Sequence, residues 1–138
     1  MFPKLISGDF HNDLRGGLYY NNSFDASVIK RIYVIENVTN DIIRGWQGHK
    51  IEQRWFSAIA GSFIVKLVAI DNWDCPSKDV EIFTFEVSSE KLDVLHMPPG
   101  YVSSIQSKEN GSKLLVMADY HLNELNDEFR LSIDYFKK

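Results

Sequence analysis

The apolar residues of this chain fall in short runs rich in Val, Ile, Phe and Tyr, broken by polar and Gly/Pro-containing segments at intervals of about 8–12 residues. Residues 28–38 predict a strand, because β-branched and aromatic side chains suit a pleated surface. Residues 54–60 and 63–70 predict two more, flanking Gly61-Ser62. Over 80–87 the chain alternates: Val80, Ile82, Thr84 and Glu86 share one face, and Glu81, Phe83, Phe85 and Val87 the other. Residues 92–97, 101–106 and 113–118 complete the set. Asn110-Gly111 is a two-residue turn signal, since both residue types tolerate positive φ. It predicts a hairpin between 101–107 and 112–118. Only 121–129 has a helical pattern, and it is short. The expected fold class is therefore all-β, a barrel or sandwich of antiparallel strands with one short C-terminal helical segment. A small barrel has an open mouth, and inward side chains around it form a natural ligand pocket.

With 138 residues, 44% of them hydrophobic and 25% charged, the chain is expected to form a single domain, 1–138, around one core. The net charge is −4. That argues against a nucleic-acid partner, which calls for a basic excess or stripe. No apolar run approaches the roughly 20 residues of a membrane span, so no membrane partner is expected. The start has no long apolar segment of signal-peptide kind, and a cytoplasmic location is expected. The single cysteine, Cys75, excludes an intrachain disulfide and a cysteine-rich zinc site. Asn-x-Ser/Thr triplets at Asn21, Asn37 and Asn110 are read as chance.

The chemistry concentrates in 43–55, where a His, two Arg, a Lys, two Gln, a Glu and two Trp surround two glycines. In an extended segment Gln47, His49 and Gln53 can share a face. A lone strand histidine is more often structural than catalytic, glycine bends mostly serve geometry, and Trp46 and Trp55 suit packing. Glycine-flanked polar residues on one strand, followed by Pro98-Pro99-Gly100, nevertheless resemble the two-motif pattern of the cupin superfamily. Metal-binding cupins place His-x-His, a Glu and a later His at positions that here hold Gln47, His49, Gln53 and Ser103. One imidazole with amides and a hydroxyl is a poor transition-metal set, so neither a metal nor another cofactor is expected.

More narrowly, the chain resembles the metal-free, RmlC-like jelly-roll cupins that act on nucleotide-activated 4-keto-6-deoxyhexoses (the WxcM-like group). The resemblance spans most of the chain. It rests on Asp13-x-Arg15-Gly16 with Leu18, on Ile29-Lys30-Arg31-Ile32-Tyr33, and on Arg44-Gly45 followed by His49, Lys50 and Gln53. Pro98-Pro99-Gly100-Tyr101, Leu114 to Tyr120, and then Glu124, Asp127 and Phe129-Arg130 continue it. The 3,5-epimerases of dTDP-4-dehydrorhamnose carry Arg-Gly-x-His with that His as base; here the position is Gln47. Their tyrosine acid falls near Leu115. The dTDP-4-keto-6-deoxyglucose 3,4-ketoisomerases carry Arg-Gly-x-His-x-His-Lys, of which His49 and Lys50 remain. The resemblance thus implies a 3,4-ketoisomerase, with a 3,5-epimerase or an inactive sugar-nucleotide-binding cupin as alternatives.

Such a reaction needs a base near neutral pKa, which His49 supplies, and a donor for the developing oxyanion, which the Gln47 amide can be. Tyr33 or Tyr101 could relay a proton. Arg15 and Arg44 suit a diphosphate, since guanidinium forks match phosphate oxygens; Lys50, Gln53 and Arg54 are further binding candidates. Tyr19, Tyr20, Phe24 and Trp46 are candidates to stack on the base. The resemblance also implies a homodimer, a dTDP-sugar substrate and a role in cell-surface glycan synthesis.

Overall fold

The structure is a computed structural model and describes residues 1–136. Its strands are β1 (Lys4–Ile6), β2 (Asp9–Asp13), β3 (Gly16–Tyr20), β4 (Arg31–Ile35), β5 (Ile43–His49), β6 (Arg54–Ala60), β7 (Ser62–Ala69), β8 (Phe83–Ser88), β9 (Val94–Met97), β10 (Tyr101–Ser107), β11 (Lys113–Ala118) and β12 (Glu128–Arg130). Two five-stranded antiparallel sheets face each other, ordered β1-β9-β6-β11-β4 and β12-β5-β10-β7-β8. This is the jelly-roll sandwich of the cupin fold. The hairpin β2-β3 stands apart as a third, two-stranded sheet.

Alternation builds the core. Phe63, Val65 and Leu67 on β7 turn inward and pack with Phe56 and Ala58 of β6 and with Leu114 and Val116 of β11. Burying each large apolar side chain contributes roughly 1.5–3 kcal/mol, so this cluster dominates stability. The outward faces are also covered. Trp46, Val68, Val102 and Phe136 cluster outside the second sheet, under Phe129, Leu131 and Tyr135. Trp55, Val94 and Met117 cluster outside the first sheet, under Ile6, Phe24 and Ile29. The hairpin β2-β3 is the exception: all its residues except Tyr20 are exposed.

Two sequence expectations are corrected. The Asn110-Gly111 turn does form, with Gly111 at φ 82°, but it closes no hairpin. β10 is hydrogen-bonded to β5 and β7 on its two edges, and β11 to β4 and β6, so neither has an edge left for the other. The turn therefore carries the chain from one sheet to the other. Second, no helix occurs among the described residues, and 121–129 is a turn-rich segment ending in β12. Asn123 adopts a positive φ of 65°, which interrupts helical geometry. The Asp127 carboxylate is committed to the 51–52 backbone, and β12 pairs with β5. A lone short helix is marginal, and these tertiary partners outcompete it.

Candidate active site

A cavity of about 1090 Å³ opens where the edge strand β4 of the first sheet faces β5 and β12 of the second. The apolar core closes its floor through Phe56, Met97 and Ile105, and the 121–126 segment lines its rim. Its wall carries Arg31, Arg44, Arg54 and Arg130 with Glu36, Glu52 and Glu128, an arginine-rich lining in an acidic chain.

β5 supplies one wall by alternation. Gln47 and His49 face the cavity, while Trp46 packs on the opposite side of the sheet. Gly48 lies between them because β10 passes too close for any side chain: a Cβ there would sit 1.9 Å from the Tyr101 carbonyl oxygen. β12 pairs alongside, with Glu128 opposite His49 and Arg130 opposite Gln47. Residues directly opposite share a face, so these four polar side chains form one patch. Gln47 Nε2 donates to Glu128 Oε2, which also accepts from Arg130 Nη2 at 3.1 Å.

Behind this patch lies a buried network. His49, Glu52, Arg54 and Asp127 have side chains only 7–9% exposed. His49 Nδ1 donates to Asp127 Oδ1 at 3.2 Å, and Asp127 Oδ2 accepts the amides of Ile51 (2.8 Å) and Glu52 (3.1 Å). His49 Nε2 then accepts from Arg54 Nη2 at 3.0 Å. Arg54 Nη1 donates to Glu52 Oε1 at 2.9 Å and to the Gln53 carbonyl at 3.1 Å. Burial, helped by the Arg54 charge, pushes the His49 pKa below its ordinary value, against the opposing pull of Glu52 and Asp127. With Nε2 accepting from the Arg54 guanidinium, the ring proton lies on Nδ1, towards Asp127. Burial works against the Arg54 charge, yet the Glu52 carboxylate and the Tyr33 hydroxyl hold its pKa above the usual value. Burial likewise works against the Asp127 carboxylate, but the Ile51 and Glu52 amides and His49 keep its pKa low.

Tyr33 lines the same cavity, with the Arg31 guanidinium 4.5 Å from its ring centroid. Arg44, also on the lining, is oriented by donating Nε–H to Asn37 Oδ1 at 2.7 Å. The structure thus brings together His49, Gln47, Tyr33, Arg44 and Arg54 from the sequence candidates. It places Tyr101, Arg15, Lys50 and Gln53 elsewhere. Tyr101 is buried in the apolar core, and its hydroxyl donates to the Met1 carbonyl at 3.0 Å. Arg15 sits on the exposed hairpin, paired with Asp13 at 2.7 Å. Lys50 lies over the Trp73 ring, 5.6 Å from its centroid. Gln53 bonds Asp119 and His96. Arg31, Glu52, Glu128 and Arg130 join the site without having been singled out for a role, and Arg54 takes a central place. Periodicity alone could have paired Arg31 with Tyr33 and Glu128 with Arg130, each two residues apart on a strand.

His49 Nδ1, a Glu52 oxygen and an Asp127 oxygen lie within 4.8 Å of one another, the spacing of a metal cluster. Their donor atoms are already committed: Asp127 to two amides and the imidazole, Glu52 to Arg54. A guanidinium occupies the neighbourhood a cation would need, so these residues do not fit a metal centre.

Comparison with known proteins agrees with this geometry. The family model described as FdtA: WxcM-like, C-terminal matches residues 3–137. Among solved structures, a mutant of the 3,4-ketoisomerase QdtA from Thermoanaerobacterium thermosaccharolyticum, in complex with TDP-4-keto-6-deoxyglucose, is 25% identical, with a TM-score of 0.73 over 96% of this chain and 90% of that one. A 3,4-ketoisomerase from Helicobacter canadensis is 24% identical, with a TM-score of 0.73 over 98% and 95%. The 3'-monoepimerase ChmJ from Streptomyces bikiniensis, in complex with dTDP-quinovose, shares the fold at 12% identity, with a TM-score of 0.76 over 95% and 70%. A search of curated proteins found no match.

Proposed function

The chain belongs to the WxcM-like, C-terminal family, and we propose that it isomerises a dTDP-4-keto-6-deoxyhexose, moving the ketone from C4 to C3 through an enolate. The observation that carries this reading is the Arg54 guanidinium, fixed by Glu52 and His49 in a nearly dry wall beside Tyr33. A fixed cationic donor stabilises an oxyanion without reorganising, an effect worth about 3–4 kcal/mol per well-placed donor. The complex of the 25%-identical QdtA mutant with TDP-4-keto-6-deoxyglucose supports the substrate class.

In this reading the hexose enters the cavity with its C4 carbonyl oxygen towards Arg54 and Tyr33. Loss of the C3 proton places negative charge on O4, which Arg54 neutralises. Tyr33 relays the proton that leaves O3 for O4, and a proton added at C4 completes the 3-keto product. Tyr101 is bound to Met1 and takes no part. His49 holds Arg54 in place through Nε2, Gln47 donates its amide, and Arg31, Arg44 and Arg130 meet the diphosphate. No redox cofactor is needed, since the ketone moves without net oxidation.

The test is to incubate the protein with dTDP-4-keto-6-deoxyglucose in deuterated water and follow the sugar by NMR. Deuterium at C3 or C4 with a 3-keto product is the expected result. Deuterium at C3 and C5 with the ketone unmoved would assign an epimerase instead. The absence of a second imidazole, replaced by Gln47, favours one other reading, a binding protein without turnover; calorimetric binding of dTDP-sugar with no exchange would establish it.

The protein acts as a homodimer in the same proposal. The hairpin β2-β3 exposes Phe10, Leu14, Leu18 and Tyr19, and the outer face of edge strand β4 exposes Ile32 and Val34. Covering such surfaces with a second copy hides apolar area and a sheet edge. Sedimentation at twice the chain mass is expected; a monomer at micromolar concentration would refute it. A cytoplasmic setting in cell-surface glycan synthesis completes the proposal. Among the described residues no helix is long and apolar enough to cross a membrane.

A further inference from the structure

The arginines of this chain differ in what holds them. Arg15 pairs with Asp13, Arg54 with Glu52 and Arg130 with Glu128. Arg44, at the mouth of the cavity, is held by a neutral group instead. Its Nε–H donates to the amide oxygen of Asn37 at 2.7 Å, and among the described residues no carboxylate pairs with its guanidinium.

Asn37 sits in the segment joining β4 to β5 and is only 5% exposed. It heads one of the Asn-x-Ser/Thr triplets, but at that burial its amide is out of reach of a glycan. Both ends of the amide are used inside the protein. Oδ1 takes the Arg44 Nε–H, and Nδ2 donates to the Ile42 carbonyl at 3.3 Å. The segment has separate anchors: Asn40 N donates to Asn110 Oδ1 at 3.0 Å, and Gln106 Nε2 donates to the Asn40 carbonyl at 2.9 Å. With the loop held elsewhere, what Asn37 fixes is the direction of Arg44.

We propose that Asn37 is a positioning residue for diphosphate recognition, an inference that rests on the sugar-nucleotide reading above. Gripping Nε alone leaves the end-on fork of Nη1 and Nη2 to two phosphate oxygens, a geometry that guanidinium and phosphate share. The choice of an amide matters as much as its place. A carboxylate there would orient Arg44 equally well, but it would meet the guanidinium charge from within the protein and compete with the ligand. The neutral amide orients Arg44 and leaves its charge to the diphosphate. Ordering this long side chain beforehand also removes part of the entropy cost of association.

The experiment measures calorimetric binding of dTDP, with thermal melting as the check of folding, for the unmodified protein, Asn37→Ala, Asn37→Asp, Arg44→Ala and the double variant of Asn37→Ala with Arg44→Ala. Asn37→Ala frees the guanidinium, and dTDP affinity should fall about five- to tenfold. Asn37→Asp keeps the contact but supplies an internal counter-charge, so affinity should fall as far or further; this variant carries the test if Asn37→Ala does not fold. In the Arg44→Ala background, Asn37→Ala should change affinity by less than about twofold, because the residue acts through Arg44. A merely structural role would give the same loss in both backgrounds. Affinity of Asn37→Asp within about twofold of the unmodified protein, or additive losses in the double variant, overturns the assignment while leaving the sugar-nucleotide reading intact. No dTDP binding by the unmodified protein overturns that reading, and this inference with it.

Discussion

The molecule holds two half-buried or buried histidines, and they differ instructively. His49 on β5 and His96 on β9 are both linked to a carboxylate. His49 reaches Asp127 directly; His96 reaches Asp119 through Gln53, donating Nε2–H to Gln53 Oε1 at 2.6 Å while Gln53 Nε2 donates to Asp119 Oδ2 at 3.1 Å. Burial lowers both pKa values. What separates them is two consecutive residues of β6. Arg54 turns into the cavity and meets His49; Trp55 turns outward and stacks on His96, with centroids 5.0 Å apart and planes at 18°. One histidine thereby orients a cation at a cavity wall, and the other packs a sheet face. A histidine–carboxylate link does not make an active site; the side of the sheet on which it lies decides.

The most severe disruption removes the strand geometry that supports His49. Gly48→Ala places a Cβ against the Tyr101 carbonyl, which must disrupt the β5–β10 pairing; loss of soluble folded protein, or destabilisation by roughly 3 kcal/mol or more in denaturant titration, is expected.

Next in size is Arg54→Met. It removes the oxyanion donor and leaves Glu52 buried without its cation. Isomerase turnover should fall by about 100-fold or more, with a stability loss of about 3 kcal/mol, whereas Arg54→Lys should keep more of both.

His49→Asn should lower turnover by about tenfold or more, since the ring lies on the cavity wall and holds Arg54 in place. His96→Asn should leave turnover within about twofold and lower Tm by a few degrees, corresponding to about 1 kcal/mol. Equal turnover losses in the two variants would erase the distinction between them.

A smaller effect comes from pH. Both folded-state histidine pKa values lie below the ordinary 6.5, so the unfolded chain binds more protons in the window beneath that value. Stability should therefore be full at neutral pH and fall as pH drops below about 6.5. Thermal melts across that range should show it, and the slope should flatten in either histidine variant. The smallest effect is Tyr101→Phe, which loses one hydrogen bond to Met1 and should leave turnover unchanged.

Much of the fold was legible from alternation. Runs such as 54–60 and 101–106 have a β-branched, aromatic pattern that cannot sit as a helix, and the observed β6 and β10 lie over them. Partner choice was not legible. Asn110-Gly111 marks a turn by its local chemistry, but whether the next strand folds back or crosses to the other sheet depends on which edges are already taken. The 121–129 segment reads as a short helix only in isolation from β5. Within the site, His49 and Arg44 stood out because glycines flank that region, and Tyr33 stood out as a hydroxyl on a predicted strand.

Local pattern thus determined which residues are extended, where the chain turns, and which polar types were available for enolate chemistry, because period-two alternation and backbone sterics act over a few residues. Only the tertiary structure decided that Asp127, 78 residues beyond His49, would fix its ring, that Arg54 would cap it, and that Glu128 would stand opposite. Those contacts come from strand register and sheet order, which are set by long-range pairing and the burial of two facing sheets.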